Sequence, residues 1–465
     1  NDIRSVQTFQ LVAQYAGYTF YGILLADHYV LPLWLLVGGF LVCGILALLA
    51  DDRGANLATL GAILLFGMTV TELRHTPAPP TGTPGEYEIV VREGKTASGT
   101  TIRARRNSAT GEWLPAAGNL VVRCDSSTAL NPGDRAVVRG KIYPFTARHG
   151  GYGRLMTRRG YVGTLYLNRS SLLLSDTLHR ELSPKHLSLF LHERAVTRLD
   201  RLALAPDEQA LCNAMTAGDR RSLSPALRAA YSRSGTSHLL AVSGLHVGIV
   251  FLLANLLLWW LPLFRHGHIL RNIAVILLIW LYAATTGFPP SVVRAALMFS
   301  VLQFALASSS EYVGMNTLAG VAFVMLLFHP DYLFDISFQL SFIAVAGIIA
   351  WGLPLCRLLR TRRKSIDMLT ATLAIGFSAS AATAPLISHT FGQISVVGLA
   401  LNPVVILLSY VVVGSCTLWL VIPGTALAPL FSVVAGFAAR AQNELIRAAA
   451  ALPAAALDIR LTTTQ

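Results

Sequence analysis

The feature that most limits how this chain can fold is an apolar run, Leu239 to Leu263, headed by a polar string. The string is Gly235-Thr-Ser-His-Leu-Leu-Ala-Val-Ser-Gly-Leu-His246-Val-Gly-Ile-Val250. A helix of about 25 residues crosses the ~30 Å hydrocarbon core of a bilayer. Ionisable side chains in such a segment are costly, and they face a bundle interior or a water-filled path. His238, Val242 and His246 fall four apart, so a continuous helix predicts both histidines on one face. They would then lie ~12 Å apart, too far to hold one metal ion from this helix alone. Ser243 and Gly244 are small enough to let a second helix approach, and each histidine can bond a neighbouring helix, so for a lone histidine plain helix packing is the favoured reading.

Composition extends the membrane reading to the whole chain. Of 465 residues, 54% are hydrophobic and 13% charged, against about 25% charged in a typical soluble chain. Mean hydropathy is +0.55, which excludes an ordinary soluble globule. The formal net charge of +13 favours anionic partners, nucleic acid or lipid headgroups, without choosing between them. Cys43, Cys124, Cys212, Cys356 and Cys416 lack metal-ligand spacing, and no disulfide framework is expected. No cleavable signal peptide is expected either.

Apolar stretches at 9–26, 33–50 and 56–71 predict N-terminal membrane helices within residues 1–75. A Pro/Gly/Thr-rich linker over 76–85 follows. Short alternating runs at Tyr87–Val91, Thr101–Arg105, Leu120–Arg123, Arg135–Gly140 and Tyr161–Leu167 predict strands. Their number and spacing predict a small OB-like barrel over 76–182. Residues 84–182 hold 15 Lys and Arg against 8 Asp and Glu, a net of +7. Aromatics are interleaved, among them Tyr87, Trp113, Tyr143, Tyr161 and Tyr166. Basic grooves with stacking aromatics hold single-stranded nucleic acid; the same pattern also fits a core of aromatics under a solvated basic face. The candidate contacts are Arg103, Arg105, Arg106, Arg123, Arg139, Lys141, Trp113 and Tyr143.

Residues 183–234 predict amphipathic helices, one starting at Ser224-Pro225, with Asp219 and Arg220 as an ion pair. Within 235–465, apolar runs follow at 272–286, 292–308, 315–328, 336–356, 367–387 and 404–422, the last preceded by a break at Asn402-Pro403. Leu427–Ala451 predicts an interfacial helix or an incomplete span. The expected fold class is a polytopic α-helical membrane protein, with about 10 membrane helices and an inserted small all-β OB-like domain. The basic stretch Arg357, Arg360, Arg362, Arg363 and Lys364 belongs in the cytoplasm by the positive-inside rule. Counting crossings back from it places the β domain and the head of the polar string outside. The ends carrying Arg294, Asp335 and Gln339 fall on the same side. Arg294 and Asp335 then lie at similar depth, as a neutralising pair, as a mouth for phosphate, or both.

The string Gly235 to His246 resembles the signature of the ComEC-type competence proteins, the inner-membrane channel of bacterial DNA uptake. Gly287-Phe-Pro289-Pro290-Ser-Val-Val-Arg294 and Phe334-Asp335-Ile-Ser-Phe-Gln339-Leu-Ser-Phe resemble further motifs of that family, in its order. Leu211–Arg220 resembles the stretch upstream of the signature, and Arg154–Gly160 the closing loop of the family's β domain. The resemblance implies a multi-pass channel of the cell inner membrane for single-stranded DNA in natural transformation. Its β domain engages DNA on the extracytoplasmic side. The expected DNA path is His238, Ser243, His246, Arg294, Asp335 and Gln339, with Gly235, Gly244, Pro289, Pro290, Asn402 and Pro403 in structural roles. Expected partners are single-stranded DNA and membrane lipid, with a DNA receptor outside and a cytoplasmic DNA motor; the oligomeric state stays open. Many members end in a metallo-β-lactamase-like nuclease domain with a dense His/Asp motif. Here the only close histidine pair is His266-Gly-His268, so no hydrolytic activity, metal or cofactor is expected. Two other readings of the same residues stand. One is a transporter of a small anionic solute. The other is an intramembrane enzyme using Ser243 with His246 or His238.

Overall fold

In the computed structural model the chain is mostly helical with one small β domain. The structure describes residues 19, 21–23, 25, 35–37, 39–43, 52–72, 82, 84–91, 98–106, 110–124, 134–145, 156, 161–176, 184–307, 314–395, 397–421, 428–452 and 456–458. The stretches expected at 9–26 and 33–50, most of the 76–85 linker and the Arg154–Gly160 loop lie wholly or largely outside them. The chain divides into two compact units, one within Gln10–Phe190 and Phe323–Asp335, the other within Leu191–Ala322 and Ile336–Gln465.

The first unit holds helix α1 (Asp52–Glu72) and the β domain. Strands β1 (Pro84–Val91), β2 (Ser98–Arg106), β3 (Trp113–Cys124), β4 (Arg135–Pro144) and β5 (Tyr161–Leu167) cover the five alternating runs. A sixth, β6 (Leu172–Asp176), was not expected, because Leu172-Leu173-Leu174 carries no alternation. β1 pairs with β2, β2 with β3, β3 in parallel with β5, β5 with β4, and β4 back with β1, so five strands close a ring. β6 adds to β4 at Arg135–Val138. Ring closure depends on Gly163: a Cβ there would meet the carbonyl oxygen of Tyr143 at 2.4 Å, so only glycine lets β5 lie this close to β4. Every second residue of β1 and β4 points inward. Tyr87, Ile89, Ile102, Leu120, Val122, Val138, Ile142 and Leu165 fill the interior. Each such aliphatic contributes ~1.5–3 kcal/mol by leaving water.

The second unit is helical. Helix α2 (Pro184–Leu199) leads into it, followed by α3 (Pro206–Thr216), α4 (Pro225–Arg233), α5 (Gly244–Leu257), α6 (Gly267–Thr285), α7 (Pro290–Ala307) and α8 (Gly314–Phe328), whose residues from Phe323 on belong to the first unit. Beyond Asp335 come α9 (Ile336–Gly347), a π turn (Ile348–Gly352), α10 (Leu353–Leu358), α11 (Lys364–Phe391), strand β7 (Gln393–Ser395), α12 (Val397–Val421), α13 (Ala428–Ala450) and strand β8 (Ala456–Asp458). One core joins α3 and α4 to α12 and α13 through Leu211, Cys212, Met215, Tyr231, Val412, Cys416, Ala439 and Ile446. Another joins α5, α6 and α7 through Val247, Val250, Val275, Ile279, Val292 and Ala296.

Among the described residues five helices are long and apolar enough to cross a membrane: Gly244–Leu263, Gly267–Thr285, Ile336–Leu358, Ile366–Thr390 and Leu401–Val421. Gly61–Val70, Pro290–Ala305 and Gly314–Phe328 are shorter apolar helices. Two expectations are corrected. Asn402-Pro403 does not break the helix; α12 runs through Pro403 in its second turn, because Val405, Val412, Val413 and Cys416 beyond it are fully buried. Asp219 pairs with Arg221 at 2.8 Å, not with Arg220, since left-handed Gly218 (φ +84°) turns the chain there. The segment read as an interfacial helix or an incomplete span is α13, whose inner face carries buried Gln442 and Asn443, both bonded to the Tyr231 hydroxyl.

Candidate functional site

Tyr231 lies in the last turn of α4, and Thr236 N–H donates to its carbonyl at 3.0 Å. Between them Gly235 has φ +73°, and a Cβ on it would meet Ser395 Cβ at 2.4 Å. The chain then forms a short 3-10 turn, Ser237–Leu240, which carries His238 on an exposed position. Extended residues follow, and α5 begins only at Gly244. The continuous helix expected through both histidines is therefore corrected: His238 and His246 sit on separate elements. The reason is local, because Ser243 and His246 form a reciprocal capping box that starts the helix.

In that box His246 Nδ1 accepts the Ser243 N–H at 2.8 Å. Ser243 Oγ lies 3.1 Å from the same nitrogen. A neutral ring with Nδ1 as acceptor carries its proton on Nε2. Nε2 is buried and without a partner, on a residue of 0% exposure. The Nδ1 lone pair is occupied by a backbone N–H, so it is not free to activate Ser243.

Helix α7 meets this capped end. Its break from α6 is as the proline pair predicts: Gly287 (φ +84°) and Phe288 (φ +54°) turn left-handed, Pro289 accepts from Val292 and Val293, and Pro290 opens the helix. Ser291 Oγ donates to the Val242 carbonyl at 2.9 Å. One turn on, Arg294 lies against Gly244: a Cβ on Gly244 would stand 3.0 Å from Nη2 and 3.5 Å from Ala295 Cβ. At Gly248 the added Cβ would sit 3.3 Å from the Phe299 ring. Gly244 and Gly248 together form the close-approach stripe by which α5 packs on α7. Arg294 is 7% exposed. Among the described residues of its own unit its side chain also meets Met298 Sδ at 3.6 Å and the Phe342 ring at 5.8 Å, and its Nε has no hydrogen-bond partner there.

The structure thus brings Ser243, Gly244, His246 and Arg294 together at the start of one helix, where backbone N–H groups and the helix dipole favour negative charge. Gln339 is half-buried on α9, one turn before Phe342 on the same side. Asp335 is a buried residue of the other unit, at the end of the Pro330–Phe334 turn. Asn402 is half-buried, and its Oδ1 lacks a partner. Phe342 and Gly248 were missed from sequence. A glycine at i+4 from Gly244 is the signal that identifies the second. Among the described residues no three His, Cys, Asp or Glu side chains gather to hold a metal.

On the β domain the predicted cations divide into two sets. Arg106 and Arg139 both bind Glu86, the first at 3.1 Å. The Arg139 hydrogen bond, then that of Arg106, holds the Glu86 carboxyl below its usual range. Arg139, Lys141 and Tyr143 share the outer face of β4 by alternation. Lys141 lies over the Tyr143 ring at 5.6 Å, and Arg123 over Tyr166 at 6.0 Å. The two tyrosines meet edge to face at 5.7 Å, both half-exposed. Trp113 is exposed, paired in register with Arg106. Arg103 is exposed and Arg105 half-buried. Tyr166 joins this face through the pairings of β5 with β3 and β4, which single-strand periodicity does not reveal.

Comparison with known proteins agrees with the membrane-domain motifs. Over 204 residues the chain is 33% identical to ComE operon protein 3 of Bacillus subtilis (strain 168), covering 43% of this chain and 24% of that protein. Over 201 residues it is 29% identical to an "Uncharacterized protein" of Aquifex aeolicus (strain VF5), covering 43% of this chain and 45% of that one. The chain therefore spans less than half the length of these curated relatives. No solved structure matches it. The profile described as Competence protein matches residues 215–464, more than half of the sequence and the whole of the Ser243–Arg294 site, and on that match the chain belongs to the Competence protein family.

Proposed function

We propose that this membrane protein is the inner-membrane channel that admits single-stranded DNA during natural transformation. One observation carries the reading: a buried guanidinium, with no carboxylate partner among the described residues of its own unit, held at the start of a capped helix beside a buried ring N–H. A buried charge is costly unless it is paired, and a passing phosphate is a partner of the right sign. Phosphate cannot cross hydrocarbon, so the path must be wet and lined with donors. His238, Ser243, His246, Arg294 and Gln339 furnish that lining, and Asp335 joins them on motif order.

The β domain is read as OB-like, supported by its closed five-strand ring and its parallel β3–β5 pair. It captures the strand on the Arg123, Lys141, Tyr143 and Tyr166 face, outside the cell membrane by the positive-inside count. The three shorter apolar helices and the two N-terminal apolar stretches complete about ten crossings. The boundaries follow the sequence: membrane helices to 75, β domain to 182, amphipathic helices to 234, and channel domain to 465. A receptor outside and a motor inside are the partners this role requires.

The test is uptake of labelled DNA by cells carrying Arg294→Ala or His246→Ala, with the variant protein shown to be folded and inserted. Both should abolish uptake. Normal uptake in both would falsify the pore assignment. Lost transport of a small anion, with DNA uptake intact, would favour a solute transporter instead.

A further inference from the structure

A second site lies on another part of the helical unit and does not depend on the DNA reading. The π turn at Ile348–Gly352 widens the path of the chain between α9 and α10. Gly347 at the end of α9 and Gly352 at the end of the π turn stand against Ala382 and Ser378 of the facing helix α11, and a Cβ on Gly347 would lie 2.5 Å from Ala382 Cβ. The two helices therefore touch along a line of small residues, and the larger side chains splay outward beside it. What remains is an apolar groove of about 550 Å³, walled by Trp351, Pro354, Leu358, Phe377 and Ala381. Trp351, Leu358 and Phe377 are more than half exposed.

The groove runs along a membrane-crossing segment, Ile336–Leu358, and its partner Ile366–Thr390. From Ala350 to Leu358 it is ~12 Å long at 1.5 Å per residue, most of the ~15 Å depth of one leaflet's hydrocarbon. At its Leu358 end the chain turns through Arg357, Arg360, Arg362, Arg363 and Lys364, all exposed. None of these five has a carboxylate partner among the described residues. Asp367, the nearest acid in sequence, accepts the Thr361 N–H instead. An apolar slot the depth of a leaflet thus ends at a cluster of free cations where headgroups lie.

We propose that this groove is a binding site for an anionic phospholipid, one acyl chain against Trp351 and Phe377 and the phosphate on the Arg357–Lys364 loop. Basic segments at a membrane surface attract anionic headgroups in this way. The groove supplies what a surface patch alone does not, a fixed seat for the tail.

The full chain in nanodiscs, with Trp351→Phe subtracted to isolate Trp351 emission, tests this. Brominated phosphatidylglycerol should quench Trp351 at about fivefold lower mole fraction than brominated phosphatidylcholine. The triple variant Arg360→Gln, Arg362→Gln, Arg363→Gln changes exposed side chains only and should erase that preference. Ala381→Phe, which fills the slot, should remove the Trp351 signal while leaving the loop charge. Equal quenching by both lipids in the native protein would overturn the proposal, as would a preference that survives the triple variant. Loss of the preference on adding a single-stranded oligonucleotide would reassign the cations to nucleic acid and overturn it too.

Discussion

Replacing Arg294 by methionine separates the two jobs a buried cation can have. If the guanidinium is there to hold helices together, its loss destabilises. If it waits for a ligand, its loss relieves the empty protein. The structure allows the balance to be worked. The cation–π contact with Phe342, at 5.8 Å, contributes ~0.5–2 kcal/mol. Met298 Sδ at 3.6 Å is a weak acceptor. Against these stands a buried Nε without a partner, a deficit of ~1–3 kcal/mol, more for a charged group. Methionine keeps most of the volume and its contact with the ring. Apolar replacement of buried charge is often neutral or stabilising by ~1–4 kcal/mol. In detergent and without DNA, Arg294→Met should therefore unfold at the native temperature or a few degrees above it.

The ligand side moves the other way. Two charge-assisted hydrogen bonds to a phosphate, ~1.5–3 kcal/mol each, correspond to a loss of ~10²–10⁴ in affinity. Transformation frequency, normalised to the amount of inserted protein, should fall at least ~100-fold. Arg294→Lys, which keeps charge but loses the planar fork, should fall between. A variant destabilised by more than ~2 kcal/mol, with uptake falling only as folded protein falls, refutes the reasoning.

Glu86→Gln should free Arg106 and Arg139 from their shared carboxylate. Single-strand binding by the full chain then tightens, and its salt dependence steepens by ~0.7 per phosphate gained; an unchanged slope would count against the β-domain interface. Gly235→Ala combines a left-handed φ of +73° with a 2.4 Å overlap on Ser395. It should cost ~2–4 kcal/mol in thermal unfolding, and native stability in that variant would contradict the packing described. For Asp219, burial raises the carboxyl. The Arg221 side-chain and backbone hydrogen bonds and its charge outweigh this, and hold the group below its ordinary 3.8. Its contribution is thus complete above that ordinary value and lost as pH falls through the depressed one. Asp219→Asn should remove under ~1 kcal/mol of acid-dependent stability, because Arg221 is solvent-exposed, and an unaltered pH profile would show that the pair contributes nothing.

Local chemistry was legible in the sequence where one residue decides the outcome. Ser224-Pro225 starts a helix, with Ser224 Oγ accepting the Leu227 N–H at 3.2 Å. Gly287 and the proline pair end one helix and begin another. Alternation placed strands on the five runs because one barrel face is buried. The start of α5 was not legible from periodicity, since the apolar pattern continues across it; the Ser243–His246 box is a variant of a rule usually met with Glu or Gln. Pro403 misled for the opposite reason: tertiary burial on α12 outweighs one missing N–H. Pairings such as Glu86 with Arg139, or Tyr143 with Tyr166, depend on strand register, which no single segment encodes.

The short ribbon of β7 and β8 has a mechanical consequence. Ala456–Asp458 is hydrogen-bonded to Gln393–Ser395, and Ser395 abuts Gly235, a few residues before the histidine turn. Tension on the chain near residue 458 reaches that turn through one ladder and one van der Waals contact, with no helix to stretch in between. Whatever grips that strand holds a lever on the turn that carries His238.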